Sequence, residues 1–146
     1  MKNMANTDNL YIIVIGCGRL GSLLANTLSN EGHSLVVIDI NVNAFDALRP
    51  DQFSGFRVEG DATELAVLKQ AKIDKADVLI GATDDENVNI MAAQIAKKTF
   101  NVPKVLVRIL DPNKQAFCTA VGIESVCPTS MAAEKIIMSL NDSNRK

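Results

Sequence analysis

The chain has 146 residues, about the size of one ordinary domain, which argues against most dehydrogenases that pair a cofactor domain with a separate substrate domain. Its hydrophobic fraction of 47% and charged fraction of 22% are ordinary for a globular protein. A net charge of −2, no tryptophan and one tyrosine argue against a protein that coats nucleic acid or stacks its bases.

Strands alternate with helices along the sequence. Short β-branched runs predict strands buried on both faces, and apolar residues three and four positions apart predict amphipathic helices between them. The predicted elements are, in chain order, a strand at 11–15, a helix from 20 to 31, a strand at 35–39, a short helix at 42–48, a strand at 56–58, a helix from 63 to 71, a strand at 77–82, a helix at 88–96, a strand at 104–109, a helix from 111 to 120, a strand at 125–127 and a last helix after 128. This alternation predicts a six-stranded parallel α/β sheet with helices on both faces.

Residues at the ends of these elements refine the boundaries. Thr63 is of a type that caps a helix N-terminus, and Gly32 occupies the usual position after a last turn. We expect one domain over residues 10–140, a flexible N-terminus over 1–9 and a polar tail over 141–146. The last helix carries an apolar face that packs either on the chain's own sheet or on a second copy, formed by Ala133, Ile136, Ile137 and Leu140.

The strongest motif is G-x-G-x-x-G, in the run Gly16-Cys17-Gly18-Arg19-Leu20-Gly21. It follows a predicted strand and opens a helix, the context in which this motif binds a dinucleotide. Gly16 permits a tight turn, Gly18 lets the backbone approach a phosphate, and Gly21 lets the helix pack closely on the sheet. The guanidinium of Arg19 can form two hydrogen bonds to a pyrophosphate. We therefore predict a phosphate site at the start of this helix.

Asp39 ends the second predicted strand, near the spacing at which an acid binds the ribose diol. A carboxylate there accepts two O–H bonds and repels a 2′-phosphate. No arginine follows before Arg49, so the sequence favours NAD over NADP.

Two later loops follow the third and fourth strands, at the edge where open α/β sheets bind ligands. They are Gly60-Asp61-Ala62-Thr63 and Ala82-Thr83-Asp84-Asp85-Glu86-Asn87. Asp61 can accept a bond from an adenine amino group, and Thr83 and Asp84 can frame phosphates or a cation. Both loops are equally interpretable as helix caps, because Asp and Thr favour that position.

Catalytic and metal-binding patterns are missing from the sequence. There is no nucleophile elbow and no Walker lysine, and the single histidine, His33, lies in a turn far from the glycine motif. The three cysteines are at neither zinc-site nor disulfide-scaffold spacing, which suits a reducing cytosol. Cys17 is interpreted either as a packing residue or as a redox-active thiol. No apolar run is long enough to span a membrane, and residues 1–9 have no secretory signal.

Together these motifs resemble the TrkA N-terminal domain family, also called the KTN or RCK N-terminal domain, whose members are ligand-sensing regulators of bacterial potassium channels and transporters. The resemblance covers residues 10–140. It is carried by GCGRLG, by the pair Asp39-Ile40, by the GDAT and ATDDEN loops, by Arg108 and by Gly122-Ile123 before Pro128. Two departures are the missing second, C-terminal domain and Thr129, where some members have an acid that builds a cation site.

The resemblance implies a Rossmann-like doubly wound sheet of order 3-2-1-4-5-6 that binds NAD(H), AMP, ADP or ATP. It also implies homodimers formed through late helices, octameric rings, and a membrane potassium transporter or channel subunit as partner at the inner face of the cell membrane. The candidate binding residues, from motifs and resemblance together, are Gly16, Cys17, Gly18, Arg19, Leu20, Gly21, Asp39, Ile40, Gly60, Asp61, Ala62, Thr63, Ala82, Thr83, Asp84, Asn87 and Arg108.

These observations predict a cytoplasmic regulatory subunit of a potassium system, with no catalytic residues and no bound metal. Nucleotide binding would bias a dimeric switch, which requires different affinities for its two states. The alternatives are a small NAD-dependent oxidoreductase and a redox sensor that responds to the NADH/NAD ratio or to oxidation of Cys17.

Overall fold

The computed structural model of the protein describes residues 8–143. Within them, six parallel strands form a sheet in the order β3-β2-β1-β4-β5-β6, which confirms the predicted fold class and strand order. The strands are β1 (Tyr11–Ile15), β2 (Ser34–Asp39), β3 (Phe56–Glu59), β4 (Val78–Gly81), β5 (Lys104–Arg108) and β6 (Glu124–Val126).

Helices cover both faces of this sheet. They are α1 (Arg19–Asn30), α2 (Leu65–Gln70), α3 (Glu86–Phe100), α4 (Gln115–Ala120) and α5 (Pro128–Ser143). Three 3₁₀ turns connect the elements, at Val42–Ala47, Ile73–Lys75 and Pro112–Lys114. The predicted short helix at 42–48 is thus a 3₁₀ helix, and the helix predicted from 111 divides into a 3₁₀ turn and α4.

The central strand β1 explains why both faces must be covered. Its alternate residues point to opposite sides: Ile13 and Ile15 join the core under α2 and α3, and Ile12 and Val14 join the core under α1. Each of these four side chains is almost fully buried, which contributes about 1.5–3 kcal/mol per residue. The sheet therefore lies between two apolar layers, and the ends of its strands are not covered by them.

The expected cap at Thr63 was wrong. Helix α2 begins at Leu65 after Glu64, whose side chain makes no capping bond. Thr63 instead donates from its N–H (2.9 Å) and its hydroxyl (2.7 Å) to one oxygen of Asp61. The two residues form a local turn before the helix, because the short Asp61 side chain reaches the backbone two residues ahead.

Helix α5 decides between the two interpretations of its apolar face. None of its residues is buried, and Ile136, Ile137 and Leu140 are 56–61% exposed. The face does not pack on the chain's own sheet. The helix also continues through Ser143, so the first half of the expected polar tail is helical. Residues 1–7 of the expected flexible N-terminus and 144–146 of the tail lie outside the described residues.

Candidate functional site

An open cleft of about 490 Å³ lies at the carboxyl ends of β1, β2, β3 and β4. This is the edge where the strand order reverses between β1 and β4, the usual ligand position in open α/β sheets. The structure brings ten of the predicted binding residues together there, namely Gly16, Gly18, Asp39, Ile40, Gly60, Asp61, Ala62, Ala82, Thr83 and Asp84. Seven others do not line it: Cys17, Arg19, Leu20, Gly21, Thr63, Asn87 and Arg108.

The three motif glycines meet three different requirements. Gly16 has φ +95°, and a Cβ there would come within 3.0 Å of Thr83. A Cβ at Gly21 would collide with the carbonyl oxygen of Gly16, so α1 can approach the loop this closely only with glycine. A Cβ at Gly18 would meet no protein atom within 4 Å, because this residue faces the open cleft.

The start of α1 is built to accept an anion. Gly18 is the N-cap residue and supplies no side-chain cap, and the first turn contains no acidic residue. The first N–H groups of a helix have no partner within the helix, and the helix dipole places partial positive charge at this end. The cleft beside Gly18 therefore has a positive end, although Asp39, Asp61, Asp84 and Asp85 all line other parts of it.

Asp39 connects the end of β2 to the glycine loop, the segment 16–21 that contains the glycine motif. Its Oδ2 accepts a 2.7 Å bond from the N–H of Cys17, and its Oδ1 accepts a 2.8 Å bond from the N–H of Asn41. Each carboxylate oxygen has a second lone pair, so both can also accept from a ligand hydroxyl. Asp39 is thus an anchor for the loop and a wall of the cleft.

Asp61, the residue predicted to bind an adenine amino group, lines the cleft in the loop after β3. The N–H of Thr63, followed by its hydroxyl, lowers the pKa of the Asp61 carboxyl. The carboxylate therefore stays ionised and is suited to accept a bond from a donor such as an amino group. Ile40 is 72% exposed at the rim and offers an apolar surface to a flat ring.

The loop after β4 caps a helix and also lines the cleft, so its interpretation as a helix cap is confirmed, and its binding of a ligand stays a prediction. Asp85 caps α3, since its Oδ1 accepts from the N–H groups of Asn87 and Val88. Thr83 lines the cleft and bonds inward, with its Oγ1 2.7 Å from Oδ1 of the fully buried Asn89. The loop shape is therefore set by α3.

The two candidate arginines lie outside the lining. Arg19 is exposed on the first turn of α1, next to the anion-accepting helix end. Arg108 is paired with Asp84 (Nη1 to Oδ1, 3.2 Å), and its buried Nε has no hydrogen-bond partner among the described residues. Asn87 accepts a bond from Lys114 and does not line the cleft.

Cys17 lies in the glycine loop but is buried beneath it. Burial, and then the nearby Asp39 carboxylate, raise the pKa of its thiol to about 11. The thiolate is the reactive form, so this cysteine is inert near neutral pH.

Six lining residues were not predicted: Ile15, Ile38, Asn41, Ala44, Asp85 and Val88. Ile15 and Ile38 end or nearly end β1 and β2, so the rule that ligands bind at carboxyl strand ends would have identified them. The others are short-range neighbours of predicted residues. Within residues 8–143, no group of three His, Cys, Asp or Glu side chains is placed to hold a metal. No helix in that part of the chain is long and apolar enough to cross a membrane.

Comparison with curated proteins finds potassium uptake proteins. The chain is 34% identical over 131 residues to the Trk system potassium uptake protein TrkA of Streptomyces coelicolor, covering 90% of the chain and 58% of that protein. It is 37% identical over 106 residues to the TrkA homolog of Pyrococcus abyssi, covering 73% of the chain and 46% of the homolog. The chain thus spans about half the length of these relatives.

Solved structures share the fold. The TrkA-N domain of the inner membrane protein YbaL from Escherichia coli superposes with a TM-score of 0.79 at 23% identity, covering 89% of this chain and 96% of that one. The GsuK channel bound to NAD gives 0.77 at 25% identity, covering 97% of this chain and 25% of the channel chain. GsuK bound to ADP gives 0.73 at 26% identity, covering 90% and 34%.

The family model described as the TrkA-N domain matches residues 12–129, which include every strand except the first residue of β1 and every residue that lines the cleft. The match agrees with the sheet order, the glycine loop and the curated relatives. The chain belongs to the TrkA-N domain family.

Proposed function

We propose that this chain is a nucleotide-sensing regulatory subunit or domain of a potassium uptake or channel system. The observation that carries the proposal is the cleft, in which an uncapped helix N-terminus at Gly18 faces open space and Asp39 lies at the adjacent strand end. The names of the curated relatives support the potassium system. The NAD and ADP complexes of GsuK support an adenine nucleotide as ligand.

In this proposal the phosphates bind at the start of α1 and the ribose diol binds Asp39. The adenine lies between Ile40 and the Asp61 loop, and its amino group donates to the Asp61 carboxylate. Arg19 reaches the phosphates from the first helical turn, where its permanent charge offsets the acids of the cleft. AMP, ADP, ATP and NAD(H) all contain the groups that these residues recognise.

A regulator explains the cleft better than an oxidoreductase does. Its carboxylates already have structural tasks: Asp39 holds the glycine loop, Asp85 caps α3, and Asp84 pairs with Arg108. The high pKa of the buried Cys17 thiol disfavours the sensor that would respond through oxidation of this residue.

Replacing Asp39 by alanine is expected to weaken NAD and ADP binding roughly 10- to 150-fold, because charge-assisted bonds to the ribose are lost and the N–H groups of Cys17 and Asn41 lose their acceptor. The wild-type chain should bind NADP much more weakly than NAD, because its 2′-phosphate would meet the Asp39 carboxylate. Isothermal calorimetry measures both effects. The matched control is Asp46→Ala, which removes the same charge from an exposed position and should leave the affinity unchanged. Equal affinities of the wild-type chain for NAD and NADP would contradict the assignment of Asp39.

We further propose that α5 contacts a second copy of the chain, and that the dimer, alone or within a ring, acts on a membrane potassium transporter or channel subunit at the inner face of the membrane. The support is the 16-residue α5, which has no buried residue although Ile136, Ile137 and Leu140 form an apolar face. An exposed apolar face of this kind is typical of protein interfaces.

Sedimentation velocity is expected to give a dimer or a larger assembly at micromolar concentration. Ile137→Lys should shift the chain to monomer, because a lysine in the apolar contact would lose its hydration. Asp142→Lys, on the opposite face of α5, should leave the assembly intact. A monomeric wild-type chain, with and without nucleotide, would refute the dimer.

A further inference from the structure

Asn89 is a fully buried amide on α3 with hydrogen-bond partners on both its oxygen and its nitrogen. Its Oδ1 accepts from the N–H of Thr83 (3.0 Å) and lies 2.7 Å from the Thr83 hydroxyl, whose single hydrogen also faces the carbonyl oxygen of Asp85 (2.9 Å). Its Nδ2 donates to the carbonyl oxygens of Thr83 (3.1 Å) and Arg108 (2.9 Å). An asparagine side chain has two donor hydrogens and two acceptor lone pairs, and each of the four has a partner within hydrogen-bond distance.

The partners fix the orientation of this amide. The backbone N–H of Thr83 can only donate, and the carbonyls of Thr83 and Arg108 can only accept. The amide is also pressed against the end of β4, since a Cβ at Gly81 would come within 2.8 Å of the Asn89 Cβ. Asn89 therefore fastens the Thr83 loop to α3 and to the end of β5.

Thr83 passes this constraint to the glycine loop. With its hydroxyl held inward by Asn89, its Cα and Cγ2 lie so close to Gly16 that a Cβ there would approach both to 3.0 Å. Gly16 and Thr83 both line the cleft and lie next to each other. The position of Thr83 against Gly16 is thus set by Asn89, a residue that does not line the cleft.

We propose that Asn89 is a positioning residue of the nucleotide cleft, acting through Thr83 on the distance between the loop after β4 and the glycine loop. The inference rests on the proposed function of the cleft. It adds a requirement beyond the residues that line the cleft, namely a buried amide that holds Thr83 in place. Affinity should depend on the chemistry of one buried side chain that never touches the nucleotide.

The sharpest variant is Asn89→Asp, which keeps size and shape. The variant keeps the oxygen that accepts from Thr83. It replaces Nδ2, which donates to the carbonyl oxygens of Thr83 and Arg108, by a second carboxylate oxygen that can only accept. Burial disfavours the charged acid, and its protonated form restores one donor. The charged groups around this position are Asp84 and Asp85 from the loop, Arg108 from β5, and Glu86 of α3 with its partner Lys114.

ADP binding, measured by calorimetry at temperatures where each chain is folded, is expected to be weakened about tenfold or more in Asn89→Asp at pH 8. The deficit relative to wild type should shrink as the pH falls to about 5.5, because the buried acid becomes protonated. Ser29→Ala is the matched control: it removes a buried hydroxyl that accepts from Ser54, far from the cleft. It should lower the unfolding temperature without changing the ADP affinity.

A second measurement uses the wild-type chain, so it does not depend on whether the Asn89→Asp variant folds. The side-chain amide signals of Asn89 in the NMR spectrum should shift during ADP titration with the dissociation constant found by calorimetry. Signals that stay fixed at saturation, or a folded Asn89→Asp with wild-type affinity at every pH, would overturn the inference and leave the proposed function standing. A wild-type chain that binds neither ADP nor NAD would overturn both.

Discussion

Replacing Gly18 by valine is expected to abolish nucleotide binding and leave the fold intact. Gly18 has φ −80° and ψ −155°, an extended conformation open to any residue, and a Cβ there meets no protein atom within 4 Å. The valine methyl groups would instead fill the space beside the start of α1, where a phosphate must approach the N–H groups. Calorimetry with NAD and ADP should show a loss of more than about a thousandfold, or about 4 kcal/mol.

Thermal unfolding of the same variant supplies the check on the fold. The exchange of glycine for valine at the N-cap position costs about 1 kcal/mol at most, so the unfolding temperature should fall by only a few degrees. Gly18→Ala should give an intermediate affinity, because its single methyl group fills less of the space. Undiminished affinity in Gly18→Val would place the ligand elsewhere.

Replacing Gly21 by valine is expected to lower the free energy of unfolding strongly, whereas replacing Gly18 is expected to affect mainly nucleotide affinity. Its Cβ would collide with the carbonyl oxygen of Gly16, a backbone atom that cannot rotate away. Helix α1 would have to move off β1 and open the core that contains Val14 and Ala25. The cost should be about 3 kcal/mol, a large part of the roughly 5–15 kcal/mol that stabilises a domain.

Urea unfolding measures this change as a lower midpoint, and the unfolding temperature should fall by roughly 10 °C. Gly18→Val is the matched control, since it makes the same substitution three residues earlier in the motif. A Gly21→Val chain with the wild-type midpoint would show that α1 does not approach the glycine loop as closely as described. The pair of variants thus separates the two roles of glycine in one motif.

The parts of the fold that the sequence predicted are those governed by local chemistry. Residues 11–15 are apolar and β-branched, which favours a strand buried on both faces, and the structure contains it as β1. The turn between β1 and α1 could be predicted because the glycine motif lies between a predicted strand and a predicted helix. Thr63 was misassigned because Asp61 and Thr63 are both of capping type, and local pattern does not show which one bonds to the other.

The parts that escaped prediction depend on contacts between distant segments. Asn89 is a polar residue on an amphipathic helix, a type usually found on the solvated face, yet it is fully buried and bonds to the end of β5, 19 residues away. The apolar face of α5 was visible in the sequence, but its spacing is the same for a helix packed on its own sheet and for one left exposed. Which of the two applies is decided by tertiary structure.

The double attachment of Asp39 has a consequence for engineering cofactor preference. The carboxylate that we expect to reject a 2′-phosphate is also the acceptor for the N–H of Cys17 and the N–H of Asn41. Removing it to admit NADP would therefore leave two backbone donors without their partners and loosen the glycine loop in the same step. A successful redesign has to provide a replacement acceptor along with a cation for the added phosphate. Asparagine at this position meets half of that need, since its single carbonyl oxygen can serve one of the two donors.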